Sequence, residues 1–278
     1  KGVEKKDNKD GRLPLHSACA NNASADVIKL LLSHYPKAAK ETDNNGDLPI
    51  HLECRNSSLS LEKLEYLVVE YPYCLWANNE ESYLPSCYFN TWDEDTFFSL
   101  VKEAFIKGYS VYLVQLLLVE FEGRASTWKD ENGNSLLHLA CMKSGAEVSH
   151  DIIAYLVDYF PDICASVNKD GKTPKEVLKE SASYMDHSGR LLLHRLAALG
   201  TVFTVELTAA VINFVADAYP NSLILTDHNG MLPFHHACIS SRVNLDVVFT
   251  LLQRYPACLT DSPSMVCVVG KSKRIKLR

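Results

Sequence analysis

The stretch Gly11-Arg-Leu-Pro-Leu-His16-Ser-Ala-Cys19 decides the fold, because it recurs along the chain. The same pattern begins again at Gly46, Gly133 and Gly230, each time with His five residues and Cys eight residues after the glycine. Weaker copies begin at Ser82 and Gly189. A motif that returns at a regular spacing predicts an architecture of stacked repeats.

A second element follows every copy except the one at Ser82: an apolar stretch of helical periodicity that ends in an aromatic–proline pair. Proline cannot continue a helix, so each pair predicts where the second helix of a unit ends. The pairs are Tyr35-Pro36, Tyr71-Pro72, Phe160-Pro161, Tyr219-Pro220 and Tyr255-Pro256.

Each unit therefore predicts a turn, a first helix, a loop and a second helix. Asn45-Gly46 and similar pairs suit a tight turn with positive φ, and Pro14 suits the first position of a helix. One such pair cannot bury enough apolar surface to offset the ordering of about 25 residues, at roughly 1–2 kcal/mol each. Stacking on neighbouring units supplies the missing contacts.

The motif Gly-x-Leu-Pro-Leu-His-x-Ala-Cys, followed by a leucine-rich second helix, resembles the ankyrin repeat. The step from Gly11 to Gly46 is close to that family's period of about 33 residues. The resemblance implies an all-α solenoid of five to six stacked helix pairs with short hairpin projections. Leu13 stands where the family usually has Thr, so the threonine-mediated turn bond is expected to be absent.

The predicted organisation has three parts: a charged segment at 1–9, the solenoid at 10–262, and a C-terminal segment with a basic tail at 263–278. The spacing of the motifs divides the solenoid into units, of which one lacks its second helix. These units are 10–45, 46–80, 81–131, 132–169, 170–188 (the partial one), 189–228 and 229–262.

The third unit is too long for one helix pair, and its excess after Trp92 predicts an additional or enlarged helix. The apolar face of this helix consists of Phe97, Phe98, Val101, Phe105 and Ile106. That face is interpreted either as part of the core or as a docking element for a partner.

The resemblance also implies which residues contact a partner and which have a structural role. Partner contacts are expected from the residue after each turn glycine and from the first helices, on one concave face. These candidates are Arg12, Ser17, Asp47, Arg55, Tyr83, Asn134, Met142, Arg190, Arg195, Met231, His236 and Ile239. A structural role in the repeat is expected for Gly11, Pro14, His16, Gly46, Pro49, His51, Gly133, His138, His194, Gly230, Pro233 and His235.

The recurring His-x-x-Cys pairs raise the hypothesis of a metal site, since residues three apart share a helix face. Each pair lies in a separate repeat, however, whereas structural zinc needs four ligands together. The pattern therefore favours a structural role, and the sequence predicts no catalytic, metal or cofactor site and no enzyme.

The composition indicates a folded protein without a membrane span, because 47% of the residues are apolar and no apolar run reaches about 18 residues. Nine cysteines without a CxxC pair favour a reducing, intracellular setting, the cytoplasm, with the nucleus as the alternative. The chain opens at Lys1 without an initiator Met, which indicates a fragment or a processed protein.

Charge bears on the partner. A net charge of −6 argues against general nucleic-acid binding, although the tail from Lys271 to Arg278 is basic. The hairpin tips are rich in acidic and amide residues such as Asp43, Glu80 and Asp227, which either steer a partner with a basic surface or serve the turns themselves.

The predicted function is recognition of another protein, with no small-molecule substrate. One alternative is a structural subunit fixed in a large multiprotein assembly. The other is the non-catalytic targeting region of a larger enzyme.

Overall fold

The computed structural model describes residues 2–56, 59–91, 93–142, 150–199, 201–202, 205–206, 208–241 and 243–259. The chain divides into two compact units, residues 1–130 and 131–278. Both are built mainly from short helices, so the predicted all-α fold class is confirmed. A single solenoid running through residues 10–262 stays a prediction.

The first unit stacks helix pairs in register: α1 packs on α3, α2 on α4 and α4 on α6. Its helices are α1 (Pro14–Ala20), α2 (Ala25–His34), α3 (Pro49–Cys54), α4 (Leu61–Glu70), α5 (Glu94–Lys107), α6 (Val111–Leu118) and α7 (Glu122–Ala125). In the third repeat a 3-10 helix, Pro85–Thr91, takes the place of the first helix.

The second unit continues the same construction, with α8 on α10, α9 and α10 on α12, α11 on α13, and α12 on α14. Its helices are α8 (Leu136–Cys141), α9 (His150–Tyr159), α10 (Pro174–Ala182), α11 (Leu192–Leu199), α12 (Ala209–Ala218), α13 (Pro233–Ile239) and α14 (Leu245–Arg254). Two strands of two residues, β1 (Thr201–Val202) and β2 (Val205–Glu206), pair antiparallel between α11 and α12.

The helix ends follow the residues that predicted them. Pro14, Pro49 and Pro233 each open a first helix, where the missing N–H has no intrahelical partner to lose. Tyr35 leaves the helical region at φ −145° and ψ 77°, and the proline after it starts a 3-10 turn, Pro36–Lys40. That turn was not predicted.

The long helix of the third repeat belongs to the core. Phe97 stacks on Phe121 with ring centroids 3.8 Å apart, and Phe98 stacks on Trp128 at 4.8 Å. Of the predicted apolar face only Ile106 points to solvent, at 68% exposure. The interpretation of this face as a docking element is therefore wrong, because its aromatic side chains are buried inside the repeat.

Adjacent hairpins are joined through their main chains. Asn44 N donates to Asp10 O at 2.9 Å and Glu80 N to Asn45 O at 3.1 Å. In the second unit Lys169 N donates to Asn132 O, and His228 N to Ser188 O, both at 3.0 Å. Between the hairpins at 168–172 and 186–190 the described residues contain one helix, α10, which is the partial unit.

Candidate functional site

The motif histidines tie each repeat to the next. His16 Nδ1 accepts the N–H of Leu13 at 3.2 Å, and its Nε2 donates to the carbonyl of Asp47 in the following hairpin at 3.2 Å. Because a main-chain N–H can only donate and a carbonyl can only accept, this geometry requires a neutral ring protonated at Nε2. His51, His138 and His194 repeat the arrangement, with Nε2 between 2.9 and 3.1 Å from the nearest carbonyl.

Burial explains why the rings of His16, His51 and His194 stay neutral. It lowers the pKa of His16, His51 and His235, and it lowers the pKa of His194 to about 4. The imidazoles are thus occupied by the caps of their own helices. The described residues contain no group of three His, Cys, Asp or Glu side chains able to hold a metal ion.

Three of the four cysteines of the motif are packing residues, and the fourth, Cys238, is exposed. Cys19, Cys54 and Cys141 are at most 2% exposed. Burial raises the pKa of all three thiols, so they remain protonated and are poor nucleophiles. These three side chains therefore lie in the cores of their repeats, and the structural role of the His-x-x-Cys pairs stays a prediction.

An aspartate or asparagine closes several of the hairpins from inside. Asp43 Oδ1 accepts the N–H groups of Asn45 and Asp47 at 2.9 and 3.1 Å. Asp227 does the same for Asn229 and Met231 at 2.8 and 2.9 Å, and both aspartates are nearly buried. For these two residues turn chemistry explains the acidic group, and they are not available to steer a partner.

The residue after the turn glycine often bonds to the next repeat rather than facing a partner. After Gly11, Arg12 Nε lies 3.1 Å from Asp43 Oδ2. After Gly46, Asp47 Oδ1 lies 2.9 Å from Asn79 Nδ2. After Gly133, Asn134 Oδ1 lies 2.9 Å from Asn168 Nδ2. The expectation that Asp47 and Asn134 contact a partner is corrected: both are at most 2% exposed, and their side chains bond within the chain.

His236 needs the same correction. Its Nε2 lies 2.9 Å from Asp227 Oδ2, its ring packs edge-on against His194, and it is 9% exposed. The sequence placed it on the binding face because it follows the motif histidine. Only the fold shows that it turns toward the hairpin aspartate.

The remaining nine candidates reach the surface to different degrees, and their role in binding stays a prediction. Arg12, Ser17, Arg190, Arg195 and Met231 are half-buried. Arg195 lies 2.9 Å from His150 Nδ1, and Arg190 pairs with Asp186 at 2.9 Å. The exposed ones are Arg55, Tyr83, Met142 and Ile239.

Arg55 and Tyr83 belong to a group of contacting side chains that we call the Arg55 cluster: Arg55, Asp47, Tyr83 and Tyr88. Both terminal nitrogens of Arg55 contact the buried Asp47 carboxylate, at 2.6 and 3.1 Å. Arg55 also bonds to the Tyr88 hydroxyl at 2.6 Å and lies 4.8 Å from the centre of that ring. Tyr83 lies beside Tyr88 with centroids 6.2 Å apart and is 47% exposed.

Sequence reasoning missed Tyr88. It follows Cys87 in the weak copy of the motif, where no histidine marks the register. The signal that could have found it is its place in the repeat, one residue after the position that aligns with the motif histidine.

Stacked helix pairs, glycine hairpins and histidine-capped first helices define a helical-repeat protein. The family model of the ankyrin repeat matches residues 10–40. The chain thus contains an ankyrin repeat, and the resemblance drawn from the sequence is confirmed.

Comparison with curated proteins found no match. Among solved structures, one that is similar contains the predatory endopeptidase Bd0816 from Bdellovibrio bacteriovorus in complex with immunity protein Bd3460. Identity is 14%, the match covers 90% of this chain and 99% of that chain, and the TM-score is 0.27. A likeness of this size carries no argument about the present protein. In the portion of the chain that the structure describes, no helix combines the length and apolarity that crossing a membrane requires.

Proposed function

We propose that this chain is a non-catalytic protein-interaction module that uses the Arg55 cluster as the centre of its binding surface. The single observation that carries the proposal is the geometry of Arg55. Its side chain is held by two bonds to a buried carboxylate and by an aromatic ring. It is nevertheless 34% exposed to solvent. A partner would therefore find this side chain already ordered.

The chemistry of the cluster supports the same conclusion. Arginine and tyrosine are enriched among the residues that carry most of the binding energy at protein interfaces. Here one arginine and two tyrosines meet at the end of a first helix, where the resemblance places partner contacts. Tyr83 adds a large exposed side chain with few rotatable bonds.

Charge suggests the kind of partner. Arg55 and Arg12 are paired with Asp47 and Asp43, so neither adds unbalanced positive charge. Glu80 and Glu81 remain exposed on the hairpin that leads to Tyr83. A partner with a basic patch beside an apolar contact fits this surface, and its association would weaken as salt rises.

A reducing, intracellular compartment forms part of the proposal. Eight cysteines fall within the described residues, and they are thiols rather than disulfides. Most are buried in repeat cores, where free thiols act as small apolar side chains.

The test compares two tyrosines of similar exposure in the same unit. Tyr83 is 47% exposed in the cluster, and Tyr73 is 52% exposed in the turn after α4. Proteins captured by the intact chain should be lost with Tyr83→Ala and kept with Tyr73→Ala, while both variants melt at nearly the same temperature. Arg55→Ala should also lose the partner, with some loss of stability because Asp47 stays buried.

The proposal fails if every captured protein is retained by Tyr83→Ala, or if Tyr73→Ala loses them equally. A binding titration of the captured partner at two salt concentrations tests its charge. An affinity that does not depend on salt would remove the basic patch from the proposal.

A further inference from the structure

The hairpin before η3 differs from its aligned copies in the residues of its tip, which we call the acidic tip: Glu80, Glu81, Ser82 and Tyr83. The two residues before the turn residue are both glutamates here, and both are exposed. The corresponding pairs in the copies contain at most one acidic residue. These pairs are Asn44-Asn45, Glu131-Asn132, Lys169-Asp170, His187-Ser188 and His228-Asn229.

The acidic tip carries a negative charge that is not balanced within the described part of the chain. Neither Glu80 nor Glu81 forms an ion pair there. Arg55 does not balance them, because both of its terminal nitrogens are bound to the Asp47 carboxylate. Burial raises the pKa of Tyr88 against the bond from Arg55, and the Glu81 carboxylate adds to the rise, which places Glu81 near the cluster. A positively charged group is therefore attracted to this surface.

The backbone of the acidic tip is strained at Ser82. Its φ is +65°, and the aligned copies have glycine at this position, with φ between +66° and +76°. A residue with a Cβ is disfavoured in this left-handed region, whereas glycine adopts it freely. Ser82 is exposed, and its hydroxyl forms no hydrogen bond with any residue that the structure describes. Strain of this kind is concentrated at binding sites, where the surrounding structure holds it in place.

Hydrogen bonds connect the acidic tip to the Arg55 cluster. Tyr83 N donates to Asn79 Oδ1 at 2.9 Å, and Asn79 N donates to Tyr83 O at 3.1 Å. The side-chain amide of Asn79 also donates to the Asp47 carboxylate that holds Arg55. One series of bonds thus positions the main chain of Tyr83 and the guanidinium of Arg55, and a partner does not have to order them.

The cluster already contains one cation on an aromatic ring. The guanidinium carbon of Arg55 lies 4.8 Å from the centre of the Tyr88 ring. Tyr83 is tilted by 55° to Tyr88 and is 47% exposed, so much of its own ring is open. Aromatic faces attract ammonium and guanidinium groups within about 6 Å. An open tyrosine ring beside two exposed carboxylates fits a positively charged side chain.

We propose that the Tyr83 ring and the Glu81 carboxylate bind one lysine or arginine side chain of the partner protein. The cation lies on the ring face, and the carboxylate pairs with it at the edge of the surface. This inference rests on the proposed function, in which the Arg55 cluster is the centre of the binding surface. It adds the chemical group that the partner presents at Tyr83.

A synthetic peptide tests the proposal directly. The probe is fluorescein-labelled Gly-Arg-Gly-Arg-Gly-Arg-amide, and its matched control has citrulline, which keeps the shape of arginine without the charge. In fluorescence anisotropy the folded full-length chain should bind the arginine peptide and not the citrulline peptide. Tyr83→Ala should weaken this binding about fivefold, which corresponds to about 1 kcal/mol. Tyr83→Phe, which keeps the ring, and Tyr73→Ala should bind as the intact chain does.

Two glutamates of equal charge test the role of the carboxylate. Glu81→Gln should weaken binding of the arginine peptide about threefold, the size expected of an exposed ion pair. Glu70→Gln makes the same change in net charge at the exposed end of α4 and should leave the affinity unchanged. Equal losses in the two variants would mean that the peptide responds only to net charge, which would overturn the proposal.

The proposal is also overturned if the arginine peptide does not bind, if the citrulline peptide binds equally well, or if Tyr83→Ala keeps full affinity. These outcomes are separate from those of the protein-capture experiment, because the probe is a peptide of known chemistry. If the peptide test fails while a captured protein is still lost with Tyr83→Ala, the proposed function stands. The partner would then present an uncharged group to Tyr83.

Discussion

The imidazole of His16 joins two repeats: its Nε2 lies 3.2 Å from the carbonyl oxygen of Asp47, while its Nδ1 caps the helix that carries it. Only the neutral ring can accept at Nδ1 and donate at Nε2. Since the same relationship recurs at His51, His138 and His194, the contacts between repeats depend on the protonation state of a row of histidines.

Stability should therefore fall in mild acid. The folded pKa of His16, His51, His194 and His235 lies below the ordinary value of 6.5, so the unfolded chain takes up protons that the folded chain does not. The contribution is fully present above about pH 6.5 and is lost as the pH falls toward the folded values, which is about 4 for His194. Urea unfolding between pH 7 and pH 5 should show the free energy of unfolding falling by about 1 kcal/mol or more per pH unit.

Four carboxylates also contribute to the pH dependence of stability. Burial raises the pKa of Glu53 and Glu65, which gives an effect of opposite sign. Burial would also raise the pKa of Asp186 and Asp227, but N–H donors outweigh it and keep both below the ordinary value, so their contribution is lost only in stronger acid. His194→Asn should flatten the slope by up to about 1.4 kcal/mol per pH unit. An unchanged slope in His194→Asn would contradict the assignment.

Two glycines with the same backbone angle should respond differently to alanine. Gly46 and Gly171 have φ of +72° and +73°, so each alanine is disfavoured by about 1–2 kcal/mol. A Cβ at Gly46 would also lie 2.8 Å from the main-chain nitrogen of Glu80, in the next hairpin, whereas a Cβ at Gly171 meets nothing within 4 Å. Gly46→Ala should accordingly lower the free energy of unfolding clearly more than Gly171→Ala. Equal losses would show that the close approach of hairpins has no energetic weight.

A buried ion pair should show strong coupling. Lys63 Nζ lies 2.6 Å from Glu53 Oε1, and the two side chains are 4% and 0% exposed. Lys63→Met should lower stability by about 3 kcal/mol, because it leaves a carboxylate buried without its partner. The loss should shrink as the pH falls, since burial raises the pKa of Glu53 and favours its neutral form.

The double variant Glu53→Leu/Lys63→Met should recover most of that loss, because an apolar pair of similar size needs no desolvation of charge. The coupling free energy follows from a double-mutant cycle measured by urea unfolding. Additive losses in the double variant would mean that the two charges do not stabilise each other.

Much of the fold could be read from short-range features. Gly11, Pro14 and the Tyr35-Pro36 pair predicted where a turn, a helix start and a helix end would fall, and the structure has them there. The 3-10 turns that begin at the proline of each aromatic–proline pair were not predicted, and neither was the β1–β2 pair. The β1–β2 pair lies among the extra residues of the unit at 189–228, where no repeat partner specifies the pattern.

The candidate surface was predicted less well, because position in the motif does not specify exposure. Asp47 and Tyr83 both follow a turn, yet one is buried against Asn79 and the other faces solvent. The partner of Asp47 lies 32 residues away, in the next repeat. Tyr88, whose hydroxyl and ring contact Arg55, is 33 residues away from Arg55 in the sequence.

By itself the sequence determined the repeat, its register and the places where helices start and stop, because glycine, proline and a helix cap act through their immediate neighbours. Only the tertiary structure decided that Asp47, Asn134 and His236 bond inward and that Arg55 is held by Asp47 and Tyr88. Those outcomes depend on which side chain of the adjacent repeat arrives at each position, and stacking, not local sequence, brings it there.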